Sequence, residues 1–338
     1  MIDLLVAGGG PAGLATAILG ARAGLEVVVV ERRHGPVDKA CGEGLMPHAV
    51  ALLRGLGVDA PGKPFHGITY LDGRRCVTGR FRNGAGRGVR RTVLHARLLA
   101  AATAAGVRIE QDDIGPVSQT ATSVHCSGFQ ARYMAAADGL HSPVRTELGL
   151  GRPSTGARRW GIRRHTLMAP WSDLVEVYWS GEAEAYVTPV DDDCVGIAIL
   201  TSRKGGFDAH LGAFPALQDR VHGQPHGPVR AAGPLRQRVH SRTAGRVMLV
   251  GDAAGYVDAL TGEGLGIAFA AAGLLVESVV ADRPQDYDRR WRRMSRRYRL
   301  LTAAVLQASA MGPVRPWIVP AAAQFPRAFR GIVNLLAD

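Results

Sequence analysis

The chain has 338 residues, 46% of them hydrophobic and only 21% charged, a balance that excludes disorder and leaves room for two domains or one large α/β unit. Its 43 glycines are nearly twice the usual share of about 7%, with no Gly-X-Y period, which points to tight turns and close backbone approach to a ligand rather than a fibre. Lys and Arg outnumber Asp and Glu by 41 to 29, a formal charge of +12, so an anionic partner is expected: nucleic acid, a membrane surface, an acidic protein, or a phosphate-bearing cofactor or substrate.

The first thirty residues have the layout of a βαβ unit. Asp3–Ala7 is a short apolar strand, Leu14–Ala23 has helical composition, Gly24 ends it, and Glu26–Val30 is a β-branched strand closing on Glu31. This start reads as a strand running into glycines rather than a signal peptide. The spacing Gly8-x-Gly10-x-x-Gly13 follows a strand and opens a helix, as a dinucleotide-binding turn requires. Gly8 permits the tight turn, Gly10 lets backbone amides approach a pyrophosphate, with Pro11 and Ala12 beside it, and Gly13 allows close helix–strand packing. The helix N-terminus adds partial positive charge. Glu31, eighteen residues after Gly13 and followed by Arg32, is placed to accept hydrogen bonds from a ribose diol. The bland alternative is a glycine-rich βα turn with no ligand.

A loop from Arg32 to Pro47 follows, containing Cys41-Gly42-Glu43-Gly44. Next come a helix over His48–Leu56, two or three strands between Phe65 and Arg82, a Gly/Arg-rich turn over Asn83–Gly88, and a helix over Arg91–Ala105. A strand Tyr133–Ala137 leads into Asp138-Gly139 and on to Ser142 and Arg145. From Arg159 to Leu200 the pattern is strand-like, with Val175–Trp179, Ala185–Thr188 and Cys194–Leu200 separated by turns. A strand Val247–Val250 meets Gly251-Asp252-Ala253-Ala254, and a long helix begins near Thr261–Gly264. The remainder is helical and basic, with breaks expected at Pro313, Pro316, Pro320 and Pro326. Cys41, Cys76, Cys126 and Cys194 lie far apart with no CxxC pair, so neither a disulfide framework nor a zinc site is expected and a reducing cytoplasm is the default compartment. Ile267–Ala281 carries Glu277 and is too short to span a bilayer, so a soluble or peripheral protein is expected.

Three motifs in order carry a resemblance. The glycine fingerprint with Glu31, then Ala137-Asp138-Gly139 continuing to Ser142 and Arg145, then Gly251-Asp252-Ala253-Ala254 followed by Gly262-Glu263-Gly264-Leu265-Gly266, resemble the signatures of the FAD-dependent oxidoreductase superfamily. That superfamily contains the p-hydroxybenzoate hydroxylase-like monooxygenases and the geranylgeranyl reductases. The resemblance implies an α/β fold: a Rossmann-like, GR2-type FAD-binding domain interleaved with a mostly antiparallel substrate sheet, and C-terminal helices. The expected division is residues 1–63, 89–150 and 240–282 for FAD, 64–88 and 151–239 for substrate, and 283–338 for the helical region. It also implies FAD as the held cofactor, with NAD(P)H docking transiently as reductant. Asp252 would accept from the ribityl chain, its alternative being a helix cap. The Gly264 and Leu265 amides, after Gly262, would face the negative charge of reduced flavin. Arg91 matches a family position near the FAD phosphates, with a solvated surface arginine as the alternative.

Two activities follow from the resemblance. The first, placed modestly ahead, is hydroxylation of an electron-rich aromatic or polyketide-type molecule by O2 through a flavin C4a-hydroperoxide, with His165 or Tyr186 as a base for the phenolic proton. The second is saturation of an isoprenoid double bond, with Cys41 in Lys39-Ala40-Cys41-Gly42-Glu43-Gly44 resembling the Cys-Gly loop of such reductases and assisting proton delivery. A third reading, a basic binding protein, rests on Arg289-Arg290-Trp291-Arg292-Arg293 and Arg296-Arg297-Tyr298-Arg299. Trp291, Met294, Tyr298 and Leu301 fall on one helical face and are expected inward, leaving a solvated arginine face; docking to anionic lipid or an acidic carrier protein comes next, and nucleic acid is not expected. The tail with Trp317, Ile318, Phe325 and Phe329 is expected to be buried against the FAD domain, its alternatives being the lining of an apolar substrate entrance or contact with a membrane edge.

Overall fold

The computed structural model describes residues 1–154 and 158–338. Two large sheets organise the chain. The first has a parallel centre in the order Val247–Leu249, Phe129–Ala136, Ile2–Ala7, Val27–Val30 and Arg108–Glu110, with Thr243–Ala244 added antiparallel beside Val247–Leu249. Its strands are near-continuous apolar runs because both faces are covered. Helices Pro11–Arg22 and Gly264–Val280 pack on each other over this sheet, and the core there is built from Leu4, Val6, Leu14, Ile18, Ala271 and Leu275.

The second sheet runs Arg230–Ala232, Trp160–Thr166, Cys194–Thr201, Ala183–Asp191, Val175–Trp179, Gly67–Leu71 and Cys76–Arg80, and only the contact between Val175–Trp179 and Gly67–Leu71 is parallel. The mixed α/β architecture with C-terminal helices is therefore the one the motifs implied.

Three local expectations fail, each for a physical reason. Residues 83–88 do not form only a turn: Gly86–Gly88 is the middle strand of a three-stranded sheet between Gly44–Leu45 and Lys63–Phe65. A Cβ on Gly86 would lie 2.3 Å from the Phe65 ring and one on Gly88 1.8 Å from the Pro189 carbonyl oxygen, so these glycines serve close packing rather than a bend. Pro320 does not break its helix, because it is the third residue of Ile318–Gln324, where the backbone N–H has no partner within the helix. The tail docks on the second sheet instead of the FAD-type sheet. Phe329 stacks against Tyr70 at 4.8 Å, and Asn334 accepts from the Arg82 N–H at 2.7 Å while donating to the Arg80 carbonyl at 3.0 Å, pairing the end of strand Cys76–Arg80. Phe329 is buried, but Trp317 and Phe325 stand 68% and 63% exposed.

In the helix Pro284–Ala310, Trp291 is buried and Met294, Tyr298 and Leu301 are half-buried, on the inward face their spacing predicts. The Arg242 guanidinium lies 3.5 Å from the centre of the Trp291 ring.

Candidate active site

Four parallel strands end side by side, with Ala7 in register with Val30 and Ala136, and Ala136 with Leu249. The turns that follow these ends carry the glycine fingerprint, Glu31, Asp138-Gly139 and Gly251-Asp252, so four motifs far apart in the chain meet at one sheet edge. Together they open a cavity of about 830 Å³ that continues under the second sheet. The cofactor-binding residues expected from the sequence line this cavity, with the exception of Gly13.

Gly13 is excluded because it packs instead. A Cβ there would sit 1.9 Å from the Gly8 carbonyl oxygen, so the helix lies directly on the turn. Gly10 is the opposite case: its Cβ position meets nothing within 4 Å and faces the cavity. His95, buried on the helix Arg91–Ala104, donates from Nε2 to the Gly9 carbonyl at 2.9 Å and braces the turn from behind. Burial holds the His95 pKa below its ordinary value, so the ring stays neutral.

The polar groups at the cavity edge fit FAD. Glu31 accepts from the Gly9 N–H at 2.9 Å and the Arg33 N–H at 3.1 Å, which leaves carboxylate lone pairs free for a diol. Asp138 accepts from the Val144 N–H at 3.0 Å with one oxygen, while its other oxygen is buried with no partner among the described residues. Arg91 likewise leaves Nε buried and unpartnered beside the cavity. Such orphaned polar atoms are costly unless a ligand completes them. Burial pushes the Asp252 carboxyl up from its ordinary value, opposed by the charges of Arg91, Lys39 and Arg145. The helix Gly264–Val280 presents its N-terminus, with Gly264 and Leu265, at the same edge. Arg145 is structural: buried, it donates to the carbonyls of Ala253 at 3.1 Å and Leu140 at 2.8 Å, tying the two later motifs together.

The Cys41 loop crosses the cavity between this edge and the second sheet. Glu43 holds it there in the left-handed region, at φ 59°, a backbone conformation that costs of order 1–2 kcal/mol for a residue with a side chain. Its side chain offsets that cost. Glu43 Oε1 accepts from the Arg91 N–H at 2.8 Å, and Oε2 takes the Nε2–H of His165 at 2.6 Å. Arg163 donates to His165 Nδ1 at 3.0 Å and also reaches Asp38. Thr188 donates to the Gly42 carbonyl at 2.9 Å. Cys41 itself lines the cavity, half-buried, with Sγ accepting from the Glu43 N–H at 3.4 Å. Burial pushes the thiol pKa up, against the pull of Arg91, so the sulfur keeps its proton at neutral pH.

The three expected catalytic side chains thus have different surroundings. Cys41 and Tyr186 line the cavity and His165 does not. Tyr186 donates its hydroxyl to the Leu260 carbonyl at 3.0 Å, and burial raises its pKa well above the ordinary value, so it stays a protonated hydroxyl rather than a phenolate base. His165 is engaged on both ring nitrogens by Arg163 and Glu43. Phe65, Val175, Val177, Leu200, Tyr256 and, from the last helix, Leu336 give the wall an apolar stretch, beside which Arg163, Thr188 and Arg230 also line the cavity. Sequence reasoning missed His95, Arg163, Glu43 as an anchor and Leu336; the buried-type strand that also carries His165 was the available signal for Arg163.

The sequence profile of the FAD binding domain family matches residues 1–65 and 96–277. The menaquinone reductase of Mycolicibacterium smegmatis is 28% identical over 86% of this chain and 79% of its own length. A digeranylgeranylglycerophospholipid reductase of Methanothermobacter thermautotrophicus is 27% identical over 88% of this chain and 82% of its own. Among solved structures, p-nitrophenol 4-monooxygenase from Pseudomonas putida superposes with a TM-score of 0.81 over 100% of this chain and 98% of the other, at 17% identity, a likeness of fold.

Proposed function

This chain belongs to the FAD-binding domain family and is an FAD-dependent oxidoreductase, and on that premise we propose that it saturates a carbon–carbon double bond in an isoprenoid-type lipid. The carrying observation is Cys41 in the wall of a largely apolar cavity, where burial favours the thiol over the thiolate. Saturating an alkene requires a hydride on one carbon and a proton on the other. FAD, bound and reduced, supplies the hydride equivalent, with NAD(P)H proposed as the source of its electrons. Cys41 holds the proton at Sγ and is re-protonated from solvent after transfer. Phe65, Val175, Val177, Leu200 and Tyr256 exclude water and offer an apolar chain the contacts it needs. Glu43 positions the thiol through its contacts with the Arg91 amide and His165. The names of the two reductase relatives support a lipid of this class.

Hydroxylation of an electron-rich ring is the second reading, favoured by the shared fold with p-nitrophenol 4-monooxygenase. The engagement of His165 and Tyr186 weighs against it, because neither is available to accept a phenolic proton. The deciding experiment incubates the FAD-loaded protein with NAD(P)H and a geranylgeranyl lipid or menaquinone without oxygen. A product carrying two added hydrogens on its isoprenoid chain, still present after the quinol is re-oxidised in air, supports saturation; no such anaerobic product, with label from ¹⁸O2 entering an aromatic substrate in air, overturns it in favour of hydroxylation.

A further inference from the structure

We propose that the outer surface of the C-terminal segment is a docking face for an anionic phospholipid bilayer. Among the described residues, seven of the eleven exposed large apolar side chains fall between positions 300 and 335. Leu300, Met311, Val314 and Trp317 come from the end of the helix Pro284–Ala310 and the turn after it; Phe325, Ile332 and Leu335 come from the last helix, Pro326–Ala337, and its N-cap.

These side chains are not scattered. On the last helix Phe329, Val333 and Ala337 recur every four residues and pack inward, whereas Ile332 and Leu335 fall to one side of that row and are exposed, as is Phe325 at the N-cap. The apolar arc of the helix is therefore wider than the strip that protein covers, and its Ile332–Leu335 edge is left open. Leu336 lies between them, one position from Leu335 and one turn from Ile332, and it lines the cavity. The inward faces of the same segment, through Val305, Ile318 and Val319, pack with Leu260 and Tyr256 against the cavity wall. The exposed apolar surface is thus the outside of the cavity's own wall.

Charge identifies the occupant. Arg293, Arg296 and Arg297 on the long helix and Arg327 and Arg330 on the last one are exposed and make no ion pair among the described residues. Arginines flanking exposed Trp, Phe and Leu match the interfacial pattern, in which aromatic and aliphatic groups enter the acyl boundary and guanidinium groups meet phosphate. A second copy of this chain would bring the same unpaired arginines face to face in a protein of net charge +12, which opposes self-association. No helix among the described residues is long and apolar enough to cross a membrane, so the contact is with one leaflet. That the bound lipid then delivers substrate through the Leu336 side rests on the reductase reading; the docking itself does not.

The test floats the purified FAD-loaded chain with vesicles of phosphatidylcholine alone or with about 30 mol% phosphatidylglycerol. Binding should be at least about tenfold stronger to the anionic vesicles and weaken when salt rises from about 0.1 to about 0.5 M. The triple substitution Trp317→Ser, Phe325→Ser, Leu335→Ser should lower vesicle binding at least about tenfold while FAD binding is unchanged, and Arg296→Glu, Arg297→Glu, Arg330→Glu should abolish the preference for phosphatidylglycerol. Failure of the unsubstituted chain to float with anionic vesicles, equal binding by the triple variant, or a dimer by light scattering that the triple substitution dissociates would each overturn the proposal. Vesicle binding reads no turnover, so a failed reductase assay leaves it standing and the reverse also holds.

Discussion

Gly10 and Gly13 belong to one motif but should fail in opposite ways when each is replaced by alanine. At Gly10 the backbone sits at φ −71° and ψ 175°, open to any residue, and the added Cβ meets nothing within 4 Å. Alanine is a poorer N-cap than glycine by up to about 1 kcal/mol, and the stiffer unfolded chain returns about 0.4–1 kcal/mol, so Gly10→Ala should leave the unliganded fold within about 1 kcal/mol of the parent. The new methyl projects into the cavity where a pyrophosphate would meet the backbone. Losing one hydrogen bond to a charged group costs about 1.5–3 kcal/mol, so the FAD Kd should rise about 10–100-fold. At Gly13 the Cβ would lie 1.9 Å from the Gly8 oxygen, where real contacts essentially never fall under 3.0 Å, so helix and turn must part by more than 1 Å. That displacement separates helix from turn at the core and should cost about 3 kcal/mol. Thermal melting without FAD and a flavin-fluorescence titration read the two effects separately. An unchanged FAD affinity in Gly10→Ala, or equal loss of stability in both variants, would refute the assignment of one glycine to the ligand and the other to packing.

Further outcomes follow from other sites. Cys41→Ala should lower turnover about 10²-fold, the lower end of what positioned acid catalysis contributes, with flavin reduction by NAD(P)H unchanged in stopped flow. Glu184, fully buried between Arg159 and Arg315, is the anchor joining the second sheet to the C-terminal segment. Glu184→Gln removes the shared carboxylate charge, while Arg159 keeps Asp258 at 3.6 Å and Arg315 keeps the Ser180 and Ser309 carbonyls, and should destabilise the fold by about 1–3 kcal/mol, read as a lowered urea midpoint. Burial pushes the Asp258 carboxyl up to about 6, and the folded state therefore binds its proton more tightly than the unfolded chain does. Asp258's contribution to stability is thus fully present below pH 4 and is lost as pH rises to about 6, an amplitude of at most about 3 kcal/mol at 1.36 kcal/mol per pH unit. Asp258→Asn should flatten that slope in melts between pH 4 and 7; an unchanged slope would show the carboxyl to be unperturbed.

Local chemistry determined which motifs meet at the cavity edge. Gly8, Gly10 and Gly13, Glu31, Asp138 and Asp252 were legible because each follows a strand, and parallel strands with helical crossovers deliver their C-terminal ends to one edge. The inward face of the arginine-rich helix was legible for a similar reason, since a 3.6-residue period is written in the sequence itself. Only tertiary structure decided which partner each chemical group would meet. His165 has the residue type and strand position of a base, yet Arg163 and Glu43 occupy both its nitrogens, and Glu43 comes from a loop 122 positions earlier. Gly86 and Gly88 look like turn residues until Phe65 and Pro189 are brought against them. The tail has the composition of buried chain, but Asn334 and Val333 fit the end of strand Cys76–Arg80, a surface set by long-range pairing, and that fit leaves Trp317 and Phe325 facing out. Burial of a given side chain depends on contacts between segments hundreds of residues apart, and no period or spacing within either segment encodes them.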